Sequence, residues 1–304
     1  MEQMNSRAAN SAKNMLSGFT YQFVTLVLSF VSRTVFVRTL GTEYLGLNGI
    51  FSDVLNLLSM ADLGFSTTMA YSFYKPLAEH DESKMAGLIH FYKRVYSVIA
   101  VTVTVCGIAV IPFLKYIINT EKEIEHLTVY YLFSLANVVI SYLFIYKSTI
   151  LTADQKNYKV VNISIWTNLL KTVLQIAALL LLHNYIIYLA IGVVIQFANN
   201  LIASKEAEKQ YPFIKNGGDI TKEEEKSIFK NMKSVFLYKF SGTLFNATDN
   251  ILISVLIGTA MAGIYSNYLM VSNKLLLAVQ IIFSALTASI GNVIVKEKSE
   301  KRYE

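Results

Sequence analysis

The sequence predicts an all-α, polytopic membrane protein. The chain has 304 residues, of which 54% are hydrophobic and 16% are charged, whereas a soluble domain usually carries about 25% charged residues. The apolar residues form blocks of about twenty, which is the length of a helix that crosses the hydrocarbon core with all its backbone hydrogen bonds satisfied. Short segments between the blocks hold nearly all the charge. A soluble protein would need several helices that are apolar on every side.

Eight of these blocks are predicted to be transmembrane spans. The first block is too long for a signal peptide and further spans follow it, so we interpret it as a retained helix. The fifth and sixth spans are separated only by His183 and Asn184, which predicts a tight helical hairpin. The eighth is long enough to tilt or to extend beyond the bilayer. In order, the spans cover residues 15–37, 45–67, 92–114, 127–150, 163–183, 185–204, 234–257 and 262–290.

Positive charges in the loops predict the orientation. With the N-terminus in the cytoplasm, the inner segments hold 20 Lys and Arg residues and the outer segments hold only Arg38, Lys115 and Lys122. This bias follows the positive-inside rule and predicts a multi-pass protein of the cytoplasmic membrane with a cytoplasmic N-terminus. The longest inner segment, residues 205–233, has the pattern of a turn followed by a capped surface helix. Its lysines could contact anionic membrane lipids, although a solvated linker is the simpler interpretation.

A short repeat divides the chain into two parts. Residues 41–46 read Gly-Thr-Glu-Tyr-Leu-Gly and residues 258–263 read Gly-Thr-Ala-Met-Ala-Gly, each at an outer turn between two spans. Because six spans separate the copies, they predict two parallel six-helix lobes that insert with the same orientation. We therefore expect an N-terminal lobe at 1–204, a cytoplasmic inter-lobe loop at 205–233 and the first two helices of a C-terminal lobe at 234–304. The second lobe is then truncated, and the chain is expected to be a fragment.

Two short motifs flank the second span. Residues 38–47 contain Arg-Thr-Leu-Gly followed by Gly-Leu, and residues 61–65 read Ala-Asp-Leu-Gly-Phe. These motifs resemble the polysaccharide-exporter (Wzx-type) flippases, which belong to the superfamily of multidrug, oligosaccharidyl-lipid and polysaccharide exporters that includes MATE antiporters. The resemblance implies 12–14 helices in two lobes around a central cavity, of which about eight are present here. It also implies an undecaprenyl-diphosphate-linked oligosaccharide as cargo, and a polysaccharide polymerase as a partner.

Polar residues inside the spans are the candidate binding residues. A charge at the centre of a transmembrane helix costs on the order of 3 kcal/mol on insertion scales, so it usually faces a cavity or a partner. Polar residues at steps of three and four lie on one helix face, which suits a water-filled cavity. The candidates are Gln22, Ser29 and Arg33 on the first span, Asn56 on the second, Lys171 and Gln175 on the fifth, and Lys274 on the eighth.

The three cations among these candidates suit an anionic cargo. A diphosphate offers many acceptor oxygens, Arg supplies a forked bidentate donor and Lys supplies a mobile point charge. We therefore predict that Arg33, Lys171 and Lys274 grip the diphosphate. The alternative is that a cation neutralises a carboxylate, for instance Arg33 with Asp53 or Lys274 with Asp249.

Two carboxylates inside the spans are candidates for ion coupling. Asp249 and Asp53 could take up H+ or Na+, because transport against a gradient needs coupling to an ion. No nucleotide-binding loop, zinc-ligand cluster or nucleophile elbow occurs in the sequence. We therefore expect no cofactor, no metal site, no nucleic-acid partner and no enzymatic activity.

Three functions remain open at this point. The first is a flippase that moves a lipid-linked oligosaccharide by alternating access, for capsule, exopolysaccharide or O-antigen-like biosynthesis. The second is a cation-coupled, MATE-like exporter of small molecules, which would be expected to have an acidic or aromatic cavity. The third is a membrane glycosyltransferase or polysaccharide polymerase, which would be expected to carry a sizeable outer loop with catalytic residues.

Overall fold

The computed structural model describes residues 2–62, 65–120, 124–216, 218, 220–246, 248–273 and 275–277. In this part of the chain the secondary structure is helical and no strand occurs. The predicted all-α fold class is therefore confirmed.

The helices follow one another with short connections. In chain order they are α1 (Glu2–Leu40), α2 (Thr42–Leu58), α3 (Phe65–Glu79), α4 (Glu82–Val110), α5 (Leu114–Ile117), α6 (Leu127–Tyr142), α7 (Ile145–Ala153), α8 (Asn157–Leu182), α9 (Tyr185–Gln210), α10 (Lys222–Asn246), α11 (Asp249–Leu256) and α12 (259–273). Short 3-10 turns occur at Ser59–Asp62, Ile111–Phe113 and Pro212–Lys215.

Several helices are long and apolar enough to cross a membrane. Within the described residues these are α1 from Asn10 onward, α4 continued through α5 as far as Ile117, α8 and α9. The helices α6 and α7 are long and apolar enough only when they are taken together, and they meet at an angle of 49°. Counted as one bent span, they add a fifth. These helices correspond to the first, third, fourth, fifth and sixth predicted spans, and they make the chain a multi-pass membrane protein.

The second and seventh predicted spans are divided into shorter helices. In the second, α2 ends at Leu58 and α3 begins at Phe65, with a 3-10 turn at Ser59–Asp62. In the seventh, α10 ends at Asn246 and α11 begins at Asp249. The eighth is described only as far as residue 277. Hydropathy detects apolar length, and it cannot distinguish an unbroken helix from two consecutive helices of the same composition.

At the bend between α6 and α7, a polar side chain donates hydrogen bonds to the backbone carbonyls that the broken helix leaves free. Phe144 adopts the left-handed region with φ 71°, and the helical hydrogen bonds stop there. The side-chain amide of Asn200, on α9, donates to the carbonyl of Ile140 at 2.8 Å and to that of Leu143 at 3.3 Å. A helix break inside a membrane is tolerated when neighbouring groups satisfy the freed carbonyls. Asn200 therefore supplies the acceptor groups at this bend with a donor.

The outer surface of the helices is apolar. On α8, the side chain of Trp166 is 70% exposed and that of Leu181 is 79% exposed. Soluble monomers rarely expose large contiguous apolar surfaces, so these side chains are suited to contact lipid. The buried side is rich in aromatic residues, and Phe51, Tyr92 and Tyr131 are almost completely enclosed.

The segment between α9 and α11 packs against α3 and α4. Thr221 and Glu224 form the predicted capping box, in which each residue's side chain accepts a hydrogen bond from the other's backbone N–H. Glu224 also forms an ion pair with Lys84, and Glu225 lies 3.5 Å from Arg94. The hydrogen bond from Lys84 lowers the pKa of Glu224 below its ordinary value of 4.5. These contacts hold the start of α10 on α4.

Candidate functional site

Two neighbouring cavities lie between the long helices. The larger, of about 290 Å³, is bounded by α2, α6, α8 and α9, and the smaller, of about 240 Å³, is bounded by α1, α2, α9 and α12. They share Asn48 and Tyr188 as walls. We call the two together the basic cavity, because Lys171 lines the first and Arg33 lines the second. Among the described residues, no carboxylate lines either one.

Lys171 projects from the middle of α8 into the larger cavity. Its side chain is partly buried, and within the described residues no carboxylate lies within ion-pair distance of its ammonium group. A cation in such a place usually faces a water-filled space or a ligand. Lys171 therefore lies where a ligand in the cavity could reach it, and its role stays a prediction.

Arg33 lies on α1 and reaches across to α12. Its guanidinium donates one hydrogen bond to the side-chain oxygen of Asn267 and one to the hydroxyl of Ser266. Both acceptors are neutral, so the alternative pairing of Arg33 with Asp53 does not form. The charge of Arg33 is solvated by dipoles and remains uncompensated by any described carboxylate. This arrangement leaves it free to attract an anion from the cavity.

The structure brings most of the predicted polar residues together. Asn56 and Gln175 line the larger cavity and Ser29 lines the smaller one. Gln175 also donates from Nε2 to the carbonyl of Tyr188 at 2.9 Å, which fixes the pairing of α8 with α9. Gln22 lies two helical turns before Ser29, about 10 Å along α1, and does not line the basic cavity.

One predicted cation cannot be placed. Lys274 lies outside the described residues, and so does its alternative pairing with Asp249. The roles of all the candidates, including Arg33 and Lys171, as ligand contacts stay predictions.

Several cavity residues were missed by the sequence reasoning. The side chains of Ser134 and Asn137 on α6 line the larger cavity, and Tyr188 lies between the two cavities. A signal for the first pair was present, because Ser134 and Asn137 are three residues apart and so share one helix face, as in the other polar stripes. Tyr188 gave no such signal, because a tyrosine near a span end is typical of the membrane interface.

The two candidate carboxylates also come together, at a separate place. Asp53 on α2 is 8% exposed and accepts a hydrogen bond from Nδ2 of Asn250 at 2.9 Å. Asp249, the chain neighbour of Asn250, accepts one from the hydroxyl of Tyr265 at 2.7 Å. The other amide atom of Asn250, Oδ1, is buried without a hydrogen-bond partner among the described residues. The site joins α2, α11 and α12.

Metal-binding side chains do not cluster in the described part of the chain. No group of three or more His, Cys, Asp and Glu residues there could hold a metal ion.

Comparison with known proteins identifies one family. The sequence model of a family described as "Polysaccharide biosynthesis protein" matches residues 11–290, which is most of the chain. No curated protein and no solved structure matches the chain.

Proposed function

The chain belongs to the polysaccharide biosynthesis protein family, and from this premise we propose that it moves a lipid-linked oligosaccharide across the cytoplasmic membrane. The family and the apolar helices make it a multi-pass membrane protein with a polysaccharide-related export function. The proposal adds the cargo, an oligosaccharide on undecaprenyl diphosphate, and the mechanism, which is alternating access. It also places the N-terminus in the cytoplasm, as the loop charges predict.

The observation that carries the proposal is the basic cavity. Arg33 and Lys171 lie in adjoining walls, with amide and hydroxyl groups between them and no described carboxylate to neutralise them. A diphosphate carries several acceptor oxygens and negative charge, and both features match this set of donors. The ammonium group of Lys171 lacks an ion-pair partner in the described residues, so a bound anion would supply one.

The sugar and the lipid need different surroundings. The polar walls suit the diphosphate and the first sugars, whereas the apolar outer faces of the helices suit the undecaprenyl chain. We place the lipid tail in the bilayer throughout transport, with only the head group passing through the protein. Rocking of one helix group against the other would then expose the cavity to either side in turn.

Directional transport needs a source of energy. Asp53 and Asp249 are the proposed coupling groups, because both are carboxylates at the contact of α2, α11 and α12, where H+ or Na+ could bind within the membrane. Consumption of the cargo by a polysaccharide polymerase on the outer face would also draw transport outward. The two sources are separable, since only the first makes export sensitive to an ion gradient.

A cation-coupled exporter of small molecules is the second candidate. The carboxylate site formed by Asp53 and Asp249 favours it, because a cationic molecule would be attracted there. The larger polar space, however, has basic walls, and a cationic substrate would be repelled from it. We therefore rank the flippase first.

Paired substitutions test the proposed cargo site. In cells that depend on this gene for surface polysaccharide, Arg33→Ala and Lys171→Ala should each abolish export while protein abundance in the membrane stays unchanged. Arg38→Ala is the matched control, because Arg38 lies on the same helix but does not line the basic cavity. Normal export by both cavity variants would remove the diphosphate site from the account.

A further inference from the structure

The two copies of the Gly-Thr repeat lie against each other in the structure. Each copy begins with a glycine of positive φ, +90° at Gly41 and +142° at Gly258, which ends one helix and lets the chain turn into the next. Such φ values favour glycine because it has no Cβ. The turns lead into α2 and α12, so the repeat marks equivalent hairpins.

The second glycine of each copy makes an unusually close approach. A Cβ added to Gly46 would lie 2.0 Å from the carbonyl oxygen of Thr259, and one added to Gly263 would lie 2.1 Å from that of Thr42. Real Cβ atoms essentially never come within 3.0 Å of such an atom. The contact is reciprocal, since the glycine of each copy meets the threonine of the other. Small residues allow such close approach between membrane helices.

Hydrogen bonds fasten the second hairpin to the outer end of α4 and α5. The backbone N–H of Thr259 donates to the carbonyl of Asn119 at 2.8 Å, and the backbone N–H of Asn119 donates to the Thr259 hydroxyl at 3.1 Å. The hydroxyl of Ser254 donates to the carbonyl of Ile117 at 2.8 Å. The turn between α11 and α12 is therefore joined to the segment that follows α4, in addition to α2.

Arg33 forms a further link, deeper in the membrane. Arg33 lies eight residues before Gly41 and Asn267 lies eight residues after Thr259, so each is about 12 Å along its helix from the repeat contact. The hydrogen bonds from Arg33 to Asn267 and Ser266 thus join the same two hairpins at a second place, deeper in the membrane than the repeat contact. The same guanidinium lines the smaller part of the basic cavity.

We infer that the reciprocal Gly-Thr contact is an outer gate, closed in this structure, and that Arg33 is the latch that an anionic cargo releases. The inference rests on the proposed function for its orientation, which places the repeat at the outer face. Hydrogen bonds from a guanidinium to a phosphate are charge-assisted on both sides and stronger than those to neutral oxygens. A diphosphate in the cavity competes for the donors that now hold α12. The glycine contact then separates, because it consists of backbone packing without side-chain interlocking.

Alanine at the repeat tests the gate without any ligand. Gly46→Ala must push the hairpins apart, so the cavity should become accessible from outside. The readout is labelling of Asn48→Cys by a membrane-impermeant maleimide on intact cells, in a Cys106→Ser background that removes the single native cysteine. Labelling should rise severalfold. Gly18→Ala is the matched control, because an added Cβ there meets nothing within 4 Å. Equal labelling in the two alanine variants would overturn the gate.

A disulfide tests the release step. Asn119→Cys and Thr259→Cys, in the Cys106→Ser background, should cross-link on oxidation, because the backbone hydrogen bond from Thr259 to Asn119 brings the two residues within reach. Inorganic pyrophosphate at millimolar concentration should slow this cross-linking severalfold. With Arg33→Ala the cross-linking should be slow from the start and pyrophosphate should have no further effect. The pair Thr167→Cys and Asn199→Cys, whose short native side chains meet at 2.8 Å within one helix hairpin, is the control that should not respond.

The outcomes separate the two ideas. If pyrophosphate binds in a direct binding measurement but leaves cross-linking unchanged, the latch is refuted and the proposed cargo site stands. If pyrophosphate does not bind, both the proposed diphosphate site and the release of Arg33 by an anion are refuted. The alanine experiment decides the gate independently of both results.

Discussion

Replacement of Lys171 by methionine isolates the charge that the basic cavity offers to a diphosphate. Methionine keeps the unbranched apolar stem and a good helix propensity while it removes the ammonium group. Because Lys171 has no ion-pair partner among the described residues, the substitution leaves no described carboxylate unpaired. The folded protein should therefore tolerate it, with unchanged abundance and unchanged thermal unfolding in detergent.

The expected loss of affinity follows from the lost contact. A hydrogen bond to a charged group contributes about 1.5–3 kcal/mol. Since 1.4 kcal/mol corresponds to a factor of ten in Kd, the affinity for a diphosphate should fall by about tenfold to a hundredfold. A larger effect would indicate that Lys171 also organises the cavity walls.

The assay is binding of undecaprenyl diphosphate to the purified chain in lipid nanodiscs. Lys159→Met is the matched control, because Lys159 lies on the same helix but pairs with Glu206 at 2.8 Å, away from the basic cavity. The reasoning is refuted if Lys171→Met binds as tightly as the unmodified protein. It is also refuted if both variants lose affinity equally, since the effect would then be one of general surface charge.

Three further predictions concern the other polar contacts. Asp53→Asn should keep an acceptor for Asn250 and preserve protein abundance, while it removes the dependence of export on an ion gradient. Asp53→Leu leaves the side-chain amide of Asn250 without its acceptor, and the free energy of unfolding should fall by about 1–3 kcal/mol. Asn200→Leu should destabilise the bend between α6 and α7 by about 1–3 kcal/mol, measured in the same way. Because Lys84 lowers the pKa of Glu224, the stabilisation by this ion pair is present at neutral pH and is lost as pH falls through that lowered value. The protection of α10 from hydrogen exchange, relative to the intrinsic rate at each pH, should fall there, and Glu224→Gln should abolish the dependence.

Each of these has a contradicting result. Ion-dependent export by Asp53→Asn would exclude that carboxylate as a coupling group. Unchanged unfolding of Asn200→Leu would mean that the bend needs no side-chain donor. Protection of α10, relative to the intrinsic exchange rate, that does not vary with pH would show that the ion pair with Lys84 does not hold the helix.

Features that depend on local composition could be predicted from the sequence. The apolar blocks gave the fold class and located α1, α4, α8 and α9, because length and hydropathy are properties of a single segment. The hairpin at His183 and Asn184 and the capping box of Thr221 and Glu224 were predictable for the same reason. The break at Phe144 was not, because no glycine or proline marks it and the group that satisfies it comes from another helix.

Contacts between distant segments could be predicted only in part. The polar stripes gave the correct inward faces for Arg33 and Lys171, since the helical period fixes which residues share a face. The alternative considered for Arg33 was a pair with Asp53, and its partners are Asn267 and Ser266 instead. Periodicity does not say which helices meet. The Gly-Thr repeat was visible in the sequence, but the packing of its two copies against each other required the three-dimensional arrangement.

The most direct test of the central claim is mass spectrometry of lipid extracts after depletion of this gene product, combined with an outer-face probe of the lipid-linked saccharide. The account predicts that complete saccharide units on undecaprenyl diphosphate accumulate and stay inaccessible from outside. Unchanged pools of lipid-linked saccharide would contradict it and favour the small-molecule exporter. Accumulation on the outer face would contradict it as well, because the cargo would then have crossed the membrane without this protein.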